Sequence, residues 1–330
     1  RAMRMVRLEP VLLQISYDAA SVGSLFLVRV ISGDDVAYGE AALADPDVFV
    51  AAVDFFSDAV AHTDPLDFGL IWQRLIALLD EYQPDPLGDY MAVLGAVDVA
   101  LWDLAGRKLG VPCHRLAGGL RAPRVDCYAG GLRVGQDDLP AAAKALAAQF
   151  GAVELALSGD AARDVAALHR VRRAVGESTP LMADAGGGYG DLGDARKVGE
   201  AIEQIEGFWY ESPLPAGRWD EYADLRRTLG TGLAGGRELV TLADHAQALR
   251  AEALDVLVAD VRRCGGLSGA RRLADVAQRH GVRMTLRSGP SPLAQAAAAH
   301  LAAAYWHVGP LQVEPMVSPL AELLAPALDF

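Results

Sequence analysis

Lysine is nearly missing from this sequence: Lys108, Lys144 and Lys197 are the only three in 330 residues. Any chemistry that needs a lysine base has three candidates and no more. Cysteine is equally scarce. Cys113, Cys127 and Cys264 are odd in number and far apart, which excludes a disulfide framework or a zinc site and fits a reducing cytoplasm. Positive charge is also short, with 30 basic against 43 acidic residues and a net charge of −13. Nucleic acid is therefore excluded as a partner, because phosphate binding needs a basic face. No uncharged apolar run reaches the roughly 18 residues of a membrane-spanning helix, so no membrane is expected either. The opening "RAMRMVRLEP" is charged and leads into no apolar h-region, so it does not read as a signal peptide.

Apolar residues make up 52% of the chain, enough to build a substantial core in one large or two ordinary domains. The first 120 residues read as strands followed by helices. "SLFLVRV" (24–30), the turn "SGDD" and the return "VAYGEA" suggest a hairpin. "MAVLGAVDVALWDLAGRKLG" (91–110) is apolar nearly all round, which predicts a buried helix stopped by Gly110 and Pro112.

From Arg124 the rhythm changes. Seven short β-like runs, "VDCYAG", "AVELALS", "PLMADAG", "GFWYESP", "GLAGG", "DVLVAD" and "VRMTLRS", alternate with helical stretches rich in Ala, Leu and Arg. Charged residues fall near their ends at Asp184, Glu211, Arg237, Asp260 and Arg287, 23 to 27 residues apart. One strand plus one helix needs roughly that length, and the succession predicts a closed (β/α) barrel. An open doubly wound sheet is the alternative, but no Gly-x-Gly-x-x-Gly turn follows the first strand. The strand ends of a barrel form its functional rim. An acid at one strand end is more often structural than catalytic; five charged ends in the same relative place point to a site.

With these runs in view, the chain resembles the enolase superfamily, and within it the mandelate racemase and muconate-lactonising group. "AVDVALWDLAGRKLGVPCHRLAGG" (96–119), "ADAGGGYG", "YESPLP", "LAGGREL" and "ADVRRCGGLSGARRLADVA" carry the likeness, which covers nearly the whole chain. The resemblance implies an α/β fold: an N-terminal α+β capping domain over residues 1–120, a modified (β/α)7β TIM-type barrel over 121–310, and a segment 311–330 returning to the cap. It also implies a homo-oligomer acting on a small-molecule carboxylate.

The family's shared step removes a proton next to a carboxylate. A Mg²⁺ held by three carboxylates stabilises the enolate, and a Lys or His takes the proton. By resemblance, Asp184 and Glu211 are the first two metal ligands. The third position holds Arg237, with Glu238 one residue later. A one-residue offset turns a strand side chain to the other face, so Glu238 would coordinate only if a bulge re-aimed it. The family's Lys-x-Lys positions hold Glu154 and Ala156. Its catalytic His position holds Arg287, while Asp260 matches the Asp that orients that His. Glu314 in "QVEPM" matches a late acid that hydrogen-bonds the substrate carboxylate. The cap loop "QISYDAASVG" (14–23), which carries Tyr17, matches a specificity loop and makes Tyr17 a substrate-binding candidate.

Arg237, set between Asp184 and Glu211, would neutralise them in place of Mg²⁺ and would repel the metal. The glycines after Asp184 leave its surroundings bare. The sequence therefore predicts a small-carboxylate pocket lined by Arg237 and Arg287, with weak or no Mg²⁺ and the usual proton abstraction lost. Two alternatives stay open. One is an active racemase, cycloisomerase or dehydratase with Asp260, Glu154 or Glu314 as acid or base. The other is an ordinary Mg²⁺-dependent member whose third ligand is displaced by one residue.

Overall fold

The computed structural model describes residues 6–16 and 22–314. Tyr17 and the segment 315–330 lie outside the described residues, and with them the expected return of the tail to the cap. The cap begins with a three-stranded antiparallel sheet, β1 (Val6–Ser16), β2 (Val22–Ser32) and β3 (Asp35–Ala41), in that spatial order. The expected hairpin is β2–β3. Ser32 pairs with Asp35 across a two-residue turn in which Gly33 has φ +65°. Sequence reasoning did not find β1, because Pro10 interrupts its pattern. Pro10 is accommodated because β1 is an edge strand, where a missing N–H can face away from the ladder.

Helices α1 (Pro46–Val60) and α2 (Phe68–Tyr82) are amphipathic and bury Phe49, Val53, Phe56, Ile71, Trp72 and Leu75. Helix α3 (Leu87–Leu109) is buried over most of its length, and Gly110 ends it at φ +70°. Its position couples cap to barrel. A Cβ on Gly39 would lie 1.8 Å from the Ala96 carbonyl oxygen, so β3 rests directly on α3. From the other side, Trp102 Nε1 donates to Ser268 Oγ at 2.9 Å, and Asp98 Oδ2 accepts the Ser268 N–H at 2.8 Å.

After the short α4 (Cys113–Leu116), eight parallel strands follow: β4 (Cys127–Arg133), β5 (Val153–Ala156), β6 (Leu181–Asp184), β7 (Trp209–Glu211), β8 (Gly232–Gly235), β9 (Val256–Asp260), β10 (Arg283–Arg287) and β11 (Leu311–Val313). Between them lie α5 (Leu139–Phe150), α6 (Ala161–Val175), α7 (Leu192–Gln204), α8 (Trp219–Thr228), α9 (Leu242–Arg250), α10 (Gly266–Arg279) and α11 (Pro292–Ala304). The seven expected runs are β4 to β10. The ring extends past residue 310, the boundary expected from the sequence. β11 pairs with β4, and Gly309 N donates to the Met284 carbonyl at 2.8 Å, joining the last connection to β10. β11, the eighth strand, was not among the seven expected runs.

Strand alternation sets the interior in layers. Tyr128, Met182, Trp209, Ala234 and Val258 form a buried apolar cluster. Two residues further along β6, β7 and β9 come Asp184, Glu211 and Asp260, so period two puts them on that same face at the carboxyl ends. The intervening residues, among them Ala183, Tyr210 and Ala259, belong to the large core under the outer helices.

Candidate functional site at the barrel mouth

Arg287, at the end of β10, is the centre of the mouth. Its Nη1 donates to Asp184 Oδ2 at 2.9 Å and to Glu211 Oε1 at 2.8 Å, and its Nη2 lies 3.4 Å from Glu154 Oε1. One guanidinium thus joins acids from three neighbouring strands, β5, β6 and β7. All three acids are buried. Glu154 is also held by Gln312 of β11, whose Nε2 donates to its Oε1.

Arg237 reaches Asp184, as expected, but it does not lie between the two acids. β8 ends at Gly235, and Gly236 at φ +112° turns the chain so that Arg237 points inward beyond the strand. Its Nη1 donates to Asp184 Oδ2 at 3.1 Å, but no bond joins it to Glu211. The cation between Asp184 and Glu211 is Arg287, because β10 faces both acids across the ring while the Arg237 side chain enters from the rim. Arg287 is correspondingly committed to acids on its Nη atoms, which argues against the expected substrate contact. Glu238 stays at the rim, 37% exposed, with Oε1 3.5 Å from Arg237 Nη2 and accepting from Ser212 Oγ at 3.4 Å.

The electrostatics follow from burial. Desolvation raises the Glu211 pKa well above the usual carboxylate range, with Asp184 adding to the rise against the pull of Arg287. Desolvation likewise pushes Glu154 up to about 7, opposed by Arg287. Burial works against the charge of Arg287, but Glu154, Glu211 and Asp184 outweigh it and hold its pKa above the ordinary arginine value. Two arginines facing three carboxylates leave one negative charge over, and a proton on Glu211 or Glu154 removes it.

The glycine-rich stretch after Asp184 is ordered by its own backbone. Gly186 N donates to Asp184 Oδ1 at 2.8 Å and Gly187 N to the Ser212 carbonyl at 2.7 Å, with φ of +57° and +77°. Tyr189 Oη then donates to Asp164 Oδ2 at 2.6 Å. Asp164 also accepts from Ser158 N and Oγ and from Gly159 N, so it ties the loops after β5 and β6 together.

Asp260 is placed at the mouth but belongs to another cluster. Arg262 covers it through Nε at 3.1 Å and Nη2 at 2.8 Å, and Arg262 Nη1 reaches Glu40 of the cap at 3.2 Å. These contacts lend no support to the expected role of Asp260 as an acid, base or His-orienting group, since its carboxylate accepts from the backbone and side chain of Arg262. Glu314 follows β11 and is half-buried, with no bond to the Arg287 cluster among the described residues. Sequence reasoning missed Gln312 and Arg262. Gln312 was findable as the residue two before Glu314 on the same strand face, and Arg262 as the second residue after Asp260.

Comparison with known proteins fits this architecture. Residues 138–327 match the family described as enolase C-terminal domain-like. The chain belongs to the enolase superfamily. It is 30% identical over 291 residues to D-galactarolactone cycloisomerase of Agrobacterium fabrum, covering 86% of this chain and 72% of the relative. It is 29% identical to L-talarate/galactarate dehydratase of Salmonella typhimurium, covering 76% of this chain and 62% of the relative. A mandelate racemase/muconate lactonizing protein from Paracoccus denitrificans complexed with magnesium superposes with a TM-score of 0.81 at 23% identity, covering 94% of this chain and 86% of that one. The chain is thus a mandelate racemase/muconate lactonizing enzyme-like member, and its curated relatives are named for isomerase and lyase activities on sugar acids. No helix among the described residues is long and apolar enough to cross a membrane.

The family's usual Mg²⁺ can be tested against this donor set. Mg²⁺ requires near-octahedral oxygen ligands at about 2.0–2.1 Å. Asp184 Oδ2 and Glu211 Oε1 already accept from the Arg287 guanidinium, and Asp184 Oδ2 accepts from Arg237 as well. A divalent cation there would meet two fixed positive charges. No group of three or more His, Cys, Asp or Glu among the described residues is arranged to hold a metal ion. The residues present do not fit Mg²⁺ in this arrangement.

Proposed function

We propose that this chain is a metal-independent enolase-superfamily protein that binds a small polyhydroxy carboxylate at its barrel mouth and has lost α-proton abstraction. The observation that carries the reading is the Arg287 guanidinium between Asp184 and Glu211. Ala156 stands at one family base position and Arg287 at the other, and an arginine stays protonated at working pH. Arg237 is the anchor for the ligand carboxylate. It is the more exposed of the two arginines, and its contact with Glu238 is long and lies at the rim, so a carboxylate that displaces Glu238 gains a paired guanidinium. The sugar-acid relatives give the ligand class.

The test is calorimetric titration with galactarate and galactonate, beside solvent deuterium exchange at their α-carbons. Binding that is lost in Arg237→Met, with no exchange and no change on adding Mg²⁺, is expected. Tight stoichiometric Mg²⁺ in the wild type would overturn the metal-independent reading, and absence of sugar-acid binding would overturn the carboxylate site.

One observation favours an active enzyme instead. Glu154 Oε2 is buried with no hydrogen-bond partner among the described residues, and burial raises the pKa of this carboxyl towards the range a general base needs. That reading requires α-carbon exchange with a midpoint near pH 7, abolished by Glu154→Gln.

A further inference from the structure

At the end of the barrel opposite the mouth, a groove of about 870 Å³ opens beside the first residues of β4 and β11. Pro123, Val125 and Phe150 line it, together with Ala296, Ala299 and Ala303 of α11. Trp306 stands next to it. Arg121 ties the two together: its backbone N–H donates to the Ala303 carbonyl at 2.8 Å, and its Nη1 to the Trp306 carbonyl at 3.1 Å. The Trp306 side chain is 66% exposed, more than any other large apolar residue among those described. Leu120, adjacent to Arg121, is exposed as well.

We propose that this end of the barrel is the interface of a two-fold homodimer, in which Trp306 of each copy fills the groove of the other. The first support is the composition of α11. Each of the other six helices between the barrel strands carries at least one Asp, Glu, Lys or Arg, and α11 carries none over Pro292–Ala304. A helix that is apolar nearly all round is normally covered on every side. The three alanines that line the groove leave room for a bulky group to approach the helix backbone.

The arrangement of the face selects a second copy as the cover. A two-fold interface is self-complementary, so the patch that offers a group must also receive it. An exposed indole beside a groove of this size meets both halves of that requirement. Tryptophan is also among the residues that most often anchor an interface. Charge points the same way. Arg124 and Asp126 are exposed at the groove, two residues apart. A two-fold axis can set Arg124 of one copy against Asp126 of the other, and the reverse. The chain as a whole carries a net charge of −13, so two copies repel over most of their surface and approach best where the charge is balanced.

This pairing leaves both mouths free and stands apart from the reading of the mouth. The experiment is sedimentation velocity of the full chain over a range of concentrations, with acrylamide quenching of tryptophan fluorescence on the same samples. Of the five tryptophans, Trp72, Trp102, Trp209 and Trp219 are buried, so quenching reports Trp306. A dimer is expected, and its dissociation on dilution should open Trp306 to the quencher. Trp306→Ala should weaken the dimer by roughly 30-fold or more, the range of an anchoring tryptophan. Ala299→Arg, which puts a charge in the groove wall, should weaken it too. Phe208→Ala is the control, because this exposed ring lies just before β7, across the barrel from β11, and should leave the dimer intact. A chain that is monomeric at every concentration would overturn the proposal, as would a dimer that survives both Trp306→Ala and Ala299→Arg. Trp306 shielded from acrylamide in a monomer would assign the cover to another part of the same chain and overturn it as well.

Discussion

Buried Arg287 and half-buried Arg262 are both set among carboxylates at the mouth of the same barrel. Arg262 lies two residues from its main partner, Asp260, which accepts its backbone N–H at 2.9 Å as well as its side chain. Its outer reach, to Glu40, joins barrel to cap. Arg287 has no such local partner. Its acids come from 76, 103 and 133 residues away along the chain, on three separate strands. The first arginine closes a seam. The second occupies the meeting point of several strand ends, where the family's fold gathers charge for chemistry. Equal residue types thus serve different ends, and the difference lies in whether the acids need the arginine to tolerate one another.

That difference predicts an order of damage. Arg287→Met leaves Glu154, Asp184 and Glu211 with only Arg237 nearby, and removing one partner of a buried ionic group typically costs about 3–5 kcal/mol. Arg262→Met should cost less, about 1–3 kcal/mol, because Asp260 keeps its backbone donor. Urea denaturation at pH 7 gives both values, and the reverse order would make the seam the more demanding cluster. The same pair sharpens the metal question. Arg237→Glu alone should gain no thermal stabilisation from Mg²⁺, since Arg287 still holds the oxygens of Asp184 and Glu211. Combined with Arg287→Met it should gain one.

How far this was legible in the sequence depends on the range of the interaction. The seven β/α units from β4 to β10 followed from short apolar runs at regular spacing. Asp184, Glu211, Asp260 and Arg287 were placed at strand ends by the same rhythm. The contact of Arg237 with Asp184 was foreseen, but that Arg287 would bridge Asp184, Glu211 and Glu154 was not legible. An arginine side chain is long enough to reach several neighbours, and its choice depends on strand positions around the whole ring. The partners of Asp260 were hidden for a related reason, since its cluster includes Glu40, 222 residues from Arg262. A resemblance transfers positions, but the partners of a charged side chain are set by everything packed around it.

A smaller effect should appear as pH dependence. Burial raises Glu154 in the folded chain from 4.5 to about 7. A raised folded-state pKa means that its contribution is fully present below the unfolded value and is lost as pH rises through about 7. Glu211 is shifted the same way. Melting temperature should therefore fall between pH 5.5 and pH 8, and fall less in Glu154→Gln. Asp98, also raised to about 7 by burial but located at the α3–α10 contact, supplies the control. If Asp98→Asn removes the whole slope and Glu154→Gln none, the mouth cluster holds no titrating proton in this range.

The smallest effect concerns the bare loop after Asp184. Its glycines have two possible reasons: room for Arg237, or backbone conformations that side chains resist. The geometry favours the second. A Cβ on Gly186 would come no closer than 3.8 Å to Arg237 Nη2, an ordinary contact, while φ at +57° lies in the left-handed region. Gly186→Ala should then cost about 1 kcal/mol from the backbone alone. Gly186→Asn should cost less, because asparagine tolerates that region. Gly190, with open space around its Cβ position and no positive φ, should accept alanine within about 0.5 kcal/mol. Urea denaturation ranks the three variants, and calorimetry with galactarate asks whether Arg237 has moved. A Gly186→Ala protein of unchanged stability that no longer binds would show that the loop is bare to make room for the arginine.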